Sequence, residues 1–255
     1  MIKCYAYTLL YTNRINYNFV PILNGIMFDH KKSCPVCDAK AGCFRRLSPL
    51  ELEVADVKRA ELNYRKGENI AKMGSFVTHI LYLQKGLVKV YMEMEGETDM
   101  ILNIVSGGNM IGLPNLFSTA PLQYSVAAIE DSVICAIDKK VIEDLVKTNG
   151  EFAQSIVESI NNCTLYHYKR LITASQKQLN GRMADALLHL SDEVYHMEDF
   201  PMQLSRKELA ELAGMSMMSA VRVIKDLEQN NIVTEKNGRL IIQDRDKLEQ
   251  LSKYG

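Results

Sequence analysis

Three thiols stand within ten residues: Cys34, Cys37 and Cys43, in the spacing C-x2-C-x5-C. Isolated cysteines are mostly scattered, buried, small hydrophobes. Three in a short segment that also holds Pro35 and Gly42 read as a metal-ligand set, because a chelated metal or cluster explains why one loop keeps several thiolates together. The chain has six cysteines in all, the others being Cys4, Cys135 and Cys163. An even count also invites disulfides, but that pattern belongs mainly to short secreted domains. At 255 residues, with 47% hydrophobic and 24% charged side chains, the chain is long enough for two modest domains of ordinary globular composition. No uninterrupted apolar run approaches the length of a membrane span, and we expect a cytoplasmic protein with reduced thiols.

The second stretch with chemistry in it lies near the C-terminus. Ser205-Arg206-Lys207-Glu208 is a capping box that opens a short helix, Arg206 to Ala213. Gly214-Met215-Ser216 makes a tight turn, and a second helix follows from Met217 to about Gln229 with Ala220, Val223, Ile224 and Leu227 on its buried side. Two short helices joined by a glycine-containing turn form a helix-turn-helix. Ile232 to Ile242 then places Asn237-Gly238 between two apolar runs, a strong hairpin signal. The combination is a winged helix, whose second helix enters the major groove of DNA. A packing-only helical hairpin would not need cap, turn, core spacing and wing in this order. Net charge offers little support: the whole chain carries −1, and residues 203–255 hold nine Lys/Arg against eight Asp/Glu. Binding must rest on local placement, with Arg206, Arg222, Lys225, Lys236 and Arg239 as candidate contacts.

Other elements must position these two. Ser48-Pro49-Leu50-Glu51 is a capping box with Pro at the first helical position, and it starts a helix expected to run to about Asn63, with Leu52, Ala55 and Leu62 among its apolar positions. From Tyr64 to Ile137 short apolar runs alternate with glycines. Ile80–Leu83, Leu87–Tyr91, Met100–Val105, Ser125–Ile129 and Ser132–Ile137 read as strands of a small sandwich or barrel, with Lys85-Gly86 and Glu95-Gly96 as hairpin turns. Val141 to Ala174 reads as helix. Val157, Ile160, Thr164, His167 and Leu171 recur there at steps of three and four, a coiled-coil-like seam suited to pairing with a second copy. Thr164 and His167 make it a weak seam, and weak seams suit a dimer that must come apart. A further helix is expected from Arg182 to about Tyr195, then a linker at 197–201. Met1 to Ile26 lacks the apolar core of a signal peptide; Met27 is the expected start of translation and 1–26 an extension without a fold role.

A glycine-punctuated β-domain, a long helix and a C-terminal winged helix, in that order, resemble the CRP/FNR family of bacterial transcription regulators. The resemblance spans about Ser33 to Leu251. It is most specific in Leu204–Ala210, Gly214–Ser216 and Val221–Leu227, and again in Leu83–Lys89 and Gly107–Gly112. It implies an α+β fold: residues 27–145 as cysteine segment and β-roll sensor domain (a cyclic-nucleotide-binding-like jelly roll), 146–177 as dimerisation helix, and 178–255 as winged helix-turn-helix. It also implies a homodimer on double-stranded DNA with a two-fold symmetric site, RNA polymerase as a partner, no membrane and no enzymatic activity. The DNA-binding positions it implies are Arg206, Ser216, Met217, Met218, Ser219, Arg222 and Lys225.

Within the family, cyclic-AMP-binding members carry a Gly-Glu motif and an Arg-Ser or Arg-Thr pair. Here Gly112 is followed by Leu113-Pro114, and the pair's region reads Leu122-Gln123-Tyr124-Ser125. A cyclic nucleotide would lose its charged anchors. The FNR branch instead carries an N-terminal cysteine triplet and a fourth strand cysteine that hold a [4Fe–4S] cluster. Cys34, Cys37 and Cys43 match the triplet and Cys135 the fourth position. Four thiolates suit a cubane cluster and equally tetrahedral zinc. The resemblance implies that the intact cluster favours dimer and DNA binding, and that oxygen or nitric oxide reverses both. The FNR branch has an acidic residue where this chain has His167. Its recognition helix usually presents Glu and, four residues on, Arg. Arg222 matches the Arg, but Met218 stands at the Glu position and Val221 replaces a base-contacting serine. A half-site that keeps the Arg-read guanine and differs beside it is therefore expected. Competing readings are a same-fold regulator with structural zinc or redox-active thiols, and an iron–sulfur electron-transfer protein, which the winged helix disfavours.

Overall fold

The computed structural model of the chain describes residues 42–94 and 99–255. A 3-10 turn, Phe44–Arg46, leads into α1, Pro49–Val57. The Ser48 hydroxyl accepts from the Glu51 amide and the Glu51 carboxylate accepts from the Ser48 amide, the capping box expected from the sequence. The helix does not continue to Asn63. Leu52 and Ala55 are buried but Val57 is exposed, so the apolar face ends there. The next residues, Leu62 among them, form β1 (Arg59–Tyr64), paired along its whole length with β8 (Ser132–Asp138). That ladder outweighs local helix propensity.

Between β1 and β8 lie β2 (Asn69–Ala71), β3 (His79–Lys85), β4 (Leu87–Met92), β5 (Met100–Ser106), β6 (Asn109–Ile111) and β7 (Ser125–Ala128). They make two four-stranded sheets, in the orders β1-β8-β3-β6 and β2-β7-β4-β5. The five expected strand runs fall in β3, β4, β5, β7 and β8. Leu83, Val88, Ile111, Val126 and Ile134 fill the space between the sheets. Lys85-Gly86 is not a hairpin turn, because β3 and β4 belong to different sheets and do not pair. The chain crosses over there, with Gly86 at φ +106; a Cβ on it would lie 2.3 Å from Ser132 Oγ and 2.7 Å from Ser132 Cα. Glu95-Gly96 lies outside the described residues, although the strands on either side, β4 and β5, pair antiparallel.

The long helical run expected from Val141 is broken. α2 (Lys139–Thr148) ends at Asn149, whose backbone is extended and whose side chain accepts from the Phe152 amide to cap α3 (Gly150–Gln176). α3 is 27 residues, about 40 Å long. α4 spans Leu179–His189 and passes into a π-helical turn, Leu190–Tyr195. α4 begins at Leu179 and not at Arg182, so Gly181 lies inside it. A Cβ there would sit 2.6 Å from the carbonyl of Gly255, at the end of α7 (Arg245–Tyr254). The helix-turn-helix forms as read: α5 (Arg206–Ala213), a left-handed Gly214, and α6 (Met217–Gln229). The wing is β9 (Asp199–Pro201), β10 (Val233–Lys236) and β11 (Arg239–Ile242), with Asn237 and Gly238 both at positive φ in its turn.

Leu87, Tyr91, Ile101 and Ile104 of the second sheet share one apolar core with Met183, Leu187, Leu209 and Leu212 of the C-terminal domain. The two domains are therefore docked through a common core. Among the described residues no helix is long and apolar enough to cross a membrane.

Candidate DNA-reading surface and cysteine core

Helix α6 has one buried side, Ala220, Val223, Ile224 and Leu227, and one outward side. Ser216 caps it: its hydroxyl accepts from the Ser219 amide and donates to Ser219 Oγ at 2.9 Å. Met217, Met218, Val221, Arg222 and Lys225 are all exposed on the outward side. Arg222, Lys225 and Lys236 form no ion pair among the described residues. Two other cations expected at DNA are occupied. Arg206 forms a forked pair with Glu235 of the wing, and Arg239 bonds Asp199 Oδ1 at 2.6 Å. Sequence spacing does not reveal these partners, since each lies 29 or 40 residues from its arginine.

On α3, Phe152 and Ile156 are buried against the sensor domain, and Ile160 packs beside them. Of the seam read from the sequence, Val157 and Leu171 are exposed, while Ile160, Thr164 and His167 are half-buried. His167 Nε2 lies 3.4 Å from Cys163 Sγ. Burial, with the Arg170 charge, holds the His167 imidazole below its usual range. The exposed apolar stripe is Val157, Leu165, Tyr168, Leu171 and Ile172. Leu165, Tyr168 and Ile172 escaped the sequence reading because α3 is apolar on two adjoining faces, and periodicity alone does not say which one the chain's own domain covers.

Cys34 and Cys37 lie outside the described residues. Cys43 and Cys135 are both buried and belong to one apolar cluster with Phe44, Tyr82, Leu113 and Phe152. Cys43 Sγ is 3.4 Å from Met110 Sδ, and burial pushes its thiol up to about 11. Arg59 Nη1 approaches Cys135 Sγ at 3.6 Å, and Arg59 also meets Asp56 at 2.7 Å and Glu61 at 3.7 Å. Among the described residues no three His, Cys, Asp or Glu side chains gather around a metal position; two of the four thiols read from the sequence are among them.

This core is fastened to α3. Asn149 Nδ2 donates to the Arg46 carbonyl at 3.2 Å and to the Glu51 carboxylate at 3.1 Å, while its Oδ1 caps α3. Phe44 stands against Phe152 with ring centroids 5.9 Å apart. At the other end of α3, Arg170 Nη2 donates to the Leu212 carbonyl of α5 at 2.8 Å. Where the sheets meet the C-terminal domain, Lys89 Nζ lies 3.1 Å from Glu208 and 4.0 Å from Glu211. Glu211 is 2% exposed, and burial raises its carboxyl. Burial also acts upward on Glu208, but the Ser205 bonds and Lys89 outweigh it and hold Glu208 low. In the first domain Tyr124 packs against the inter-sheet core, and burial pushes its hydroxyl up to about 12 beside the Gly112 backbone.

Comparison with known proteins agrees with this layout. A cyclic nucleotide-binding domain model matches residues 61–149 and a Crp-like helix-turn-helix domain model matches residues 181–251. The chain is a DNA-binding transcription regulator of the CRP/FNR type. Electron transport regulator A of Shewanella oneidensis is 20% identical to this CRP/FNR regulator, over 78% of this chain and 81% of that protein. The fumarate and nitrate reduction regulatory protein of Vibrio cholerae is 20% identical over 86% and 90% respectively. The structure of FixK2 from Bradyrhizobium japonicum has the same fold, with a TM-score of 0.69 at 17% identity, covering 76% of this chain and 96% of that one. Members of the CRP/FNR family bind DNA as homodimers.

Proposed function

We propose that this regulator senses oxygen or nitric oxide through a [4Fe–4S] cluster held by Cys34, Cys37, Cys43 and Cys135. The observation that carries the reading is the placement of Cys43 and Cys135, 92 residues apart in the chain, in one buried core. The donor chemistry fits. Both sulfurs are soft ligands screened from water, and Arg59, held by Asp56 and Glu61, donates toward Cys135 Sγ. When bound, such a cluster supplies a centre that oxygen or nitric oxide degrades. The chain's own residues carry the consequence. Phe44 and Asn149 tie the turn after Cys43 to the first turn of α3, so the order of that turn bears on how α3 presents its exposed stripe to a second copy. The similarity to a fumarate and nitrate reduction regulator supports the same reading. A cyclic nucleotide fits less well: Tyr124 stands packed in the core where the resemblance calls for an arginine, and Leu113 follows Gly112 where it calls for a glutamate.

The test is purification without oxygen, followed by iron, acid-labile sulfide and zinc analysis. About four iron and four sulfide per chain are expected, with DNA affinity falling on exposure to air. Cys135→Ala should lose both the iron and the air-sensitive binding. Zinc without sulfide would overturn the cluster in favour of a structural or thiol-based sensor.

A further inference from the structure

The outward side of α6 carries a feature that its packing does not explain. Met218 is 82% exposed, with Met217 and Val221 exposed beside it. The buried side of the helix is already complete with Ala220, Val223, Ile224 and Leu227, so these side chains are not core residues turned outward. They form an apolar patch on the second helix of a helix-turn-helix, bordered by two exposed cations, Arg222 and Lys225, that form no ion pair among the described residues. An apolar protein partner would leave both cations without an anion, whereas a DNA groove supplies phosphates and guanine edges for them. The only apolar group that the four base pairs show in the major groove is the thymine methyl. A thioether accepts hydrogen bonds too weakly to select a cytosine amino group, and a valine accepts none.

We propose that Met218, with Val221 beside it, reads thymine methyl groups, and that each half-site therefore carries thymine within about two base pairs of the pair contacted by Arg222. The distance follows from helix geometry. Residues four apart rise about 6 Å along a helix, and stacked base pairs rise about 3.4 Å. Arg222 and Met218 lie one turn apart on the same outward side, so they meet neighbouring pairs rather than the same one. The inference rests on the DNA-binding reading of α6 and is independent of what the cysteines hold.

The experiment uses the full chain, purified without oxygen, and a duplex library randomised across both half-sites. Selection should enrich a symmetric site with guanine for Arg222 and thymine beside it. The enriched site is then synthesised with deoxyuridine for that thymidine, which removes the methyl and nothing else. Binding should weaken about fourfold for one half-site and about fifteenfold for both, the effect of losing one buried methyl per contact. Met218→Ala should bind thymidine and deoxyuridine sites alike, and Met218→Glu should shift the selected base from thymine to cytosine. Enrichment of no symmetric site overturns the DNA-binding reading itself. Enrichment of a symmetric site that binds equally well with deoxyuridine, or with cytosine at that position, overturns the methyl contact alone.

Discussion

His189, the last residue of α4, stacks its ring on Tyr166 of α3, centroids 4.4 Å apart. Burial first, and the Arg170 charge second, push its imidazole down to about 4, with Asp192 opposing weakly. In the unfolded chain the same group titrates near 6.5. Between those values the unfolded state binds the extra proton, so stability is lost as pH falls from about 6.5 to about 4. Urea unfolding should show the native state weaker by about 2 kcal/mol at pH 5 than at pH 7 from this group. His189→Phe, which keeps a ring on Tyr166, should remove that part of the slope; an unchanged slope would mean that His189 does not carry it. Gly86 makes a different kind of demand. A Cβ there meets Ser132 Cα at 2.7 Å as well as its hydroxyl, so turning the serine side chain does not relieve the clash, and φ +106 is left-handed. Gly86→Ala should cost about 2–4 kcal/mol from strain and clash together, measurable as a lowered denaturation midpoint. Gly67→Ala, also at positive φ but with nothing near its Cβ, should cost only the strain.

Between elements, the contact of β4 with α5 is ionic within an apolar frame. Lys89 faces Glu208, which also caps α5, and Glu211, whose carboxylate has no hydrogen-bond partner among the described residues. Removing Lys89 leaves buried Glu211 with only Lys207, an exposed side chain 3.7 Å away, to compensate it. Lys89→Met should destabilise the protein by about 3 kcal/mol, and adding Glu211→Met should recover much of it, because a buried pair replaced by apolar groups is often neutral. A double-mutant cycle with no coupling would show that the sheet and α5 do not communicate through this pair. None of this was legible in the sequence, since Lys89 and Glu208 are 119 residues apart. What was legible shares one property: it is set locally. The two capping boxes at Ser48 and Ser205, the Gly214 turn, the Asn237-Gly238 wing and the alternating runs of β3 and β4 all carry their signals within a few residues. The misreadings were tertiary. Arg59–Tyr64 became a strand because β8 lies beside it, Lys85-Gly86 a crossing because two sheets meet there, and Asn149 a break because it bonds Glu51 and Arg46. The candidate sites divide in the same way. The exposed side of α6 follows from helical spacing, whereas the pairing of Arg206 with Glu235 and the approach of Arg59 to Cys135 required the fold.

In the whole molecule, α3 lies between the three working parts. Its first turn is held by Asn149 to the segment that follows Cys43, its middle leaves Val157, Leu165, Tyr168, Leu171 and Ile172 exposed, and its last turns bond Leu212 and Asp185 of the C-terminal domain. Because members of the family bind DNA as homodimers, a second copy is the expected occupant of that exposed stripe, and the effect of breaking it follows. A charge at Tyr168 would be buried against its own symmetry mate, with desolvation and like-charge repulsion acting together. Tyr168→Asp should therefore leave the monomer folded, since its side chain is exposed in the single chain, but convert dimer to monomer in sedimentation and cut affinity for a symmetric site by at least about a hundredfold. Ile160→Ala should do the reverse: it lowers stability by about 1–3 kcal/mol through the sensor core it packs against, with the dimer retained. If Ile160→Ala dissociates the dimer while Tyr168→Asp does not, the pairing face is the one centred on Ile160, Thr164 and His167. The heptad read from the sequence would then describe the assembly better than the exposed stripe of the single chain does.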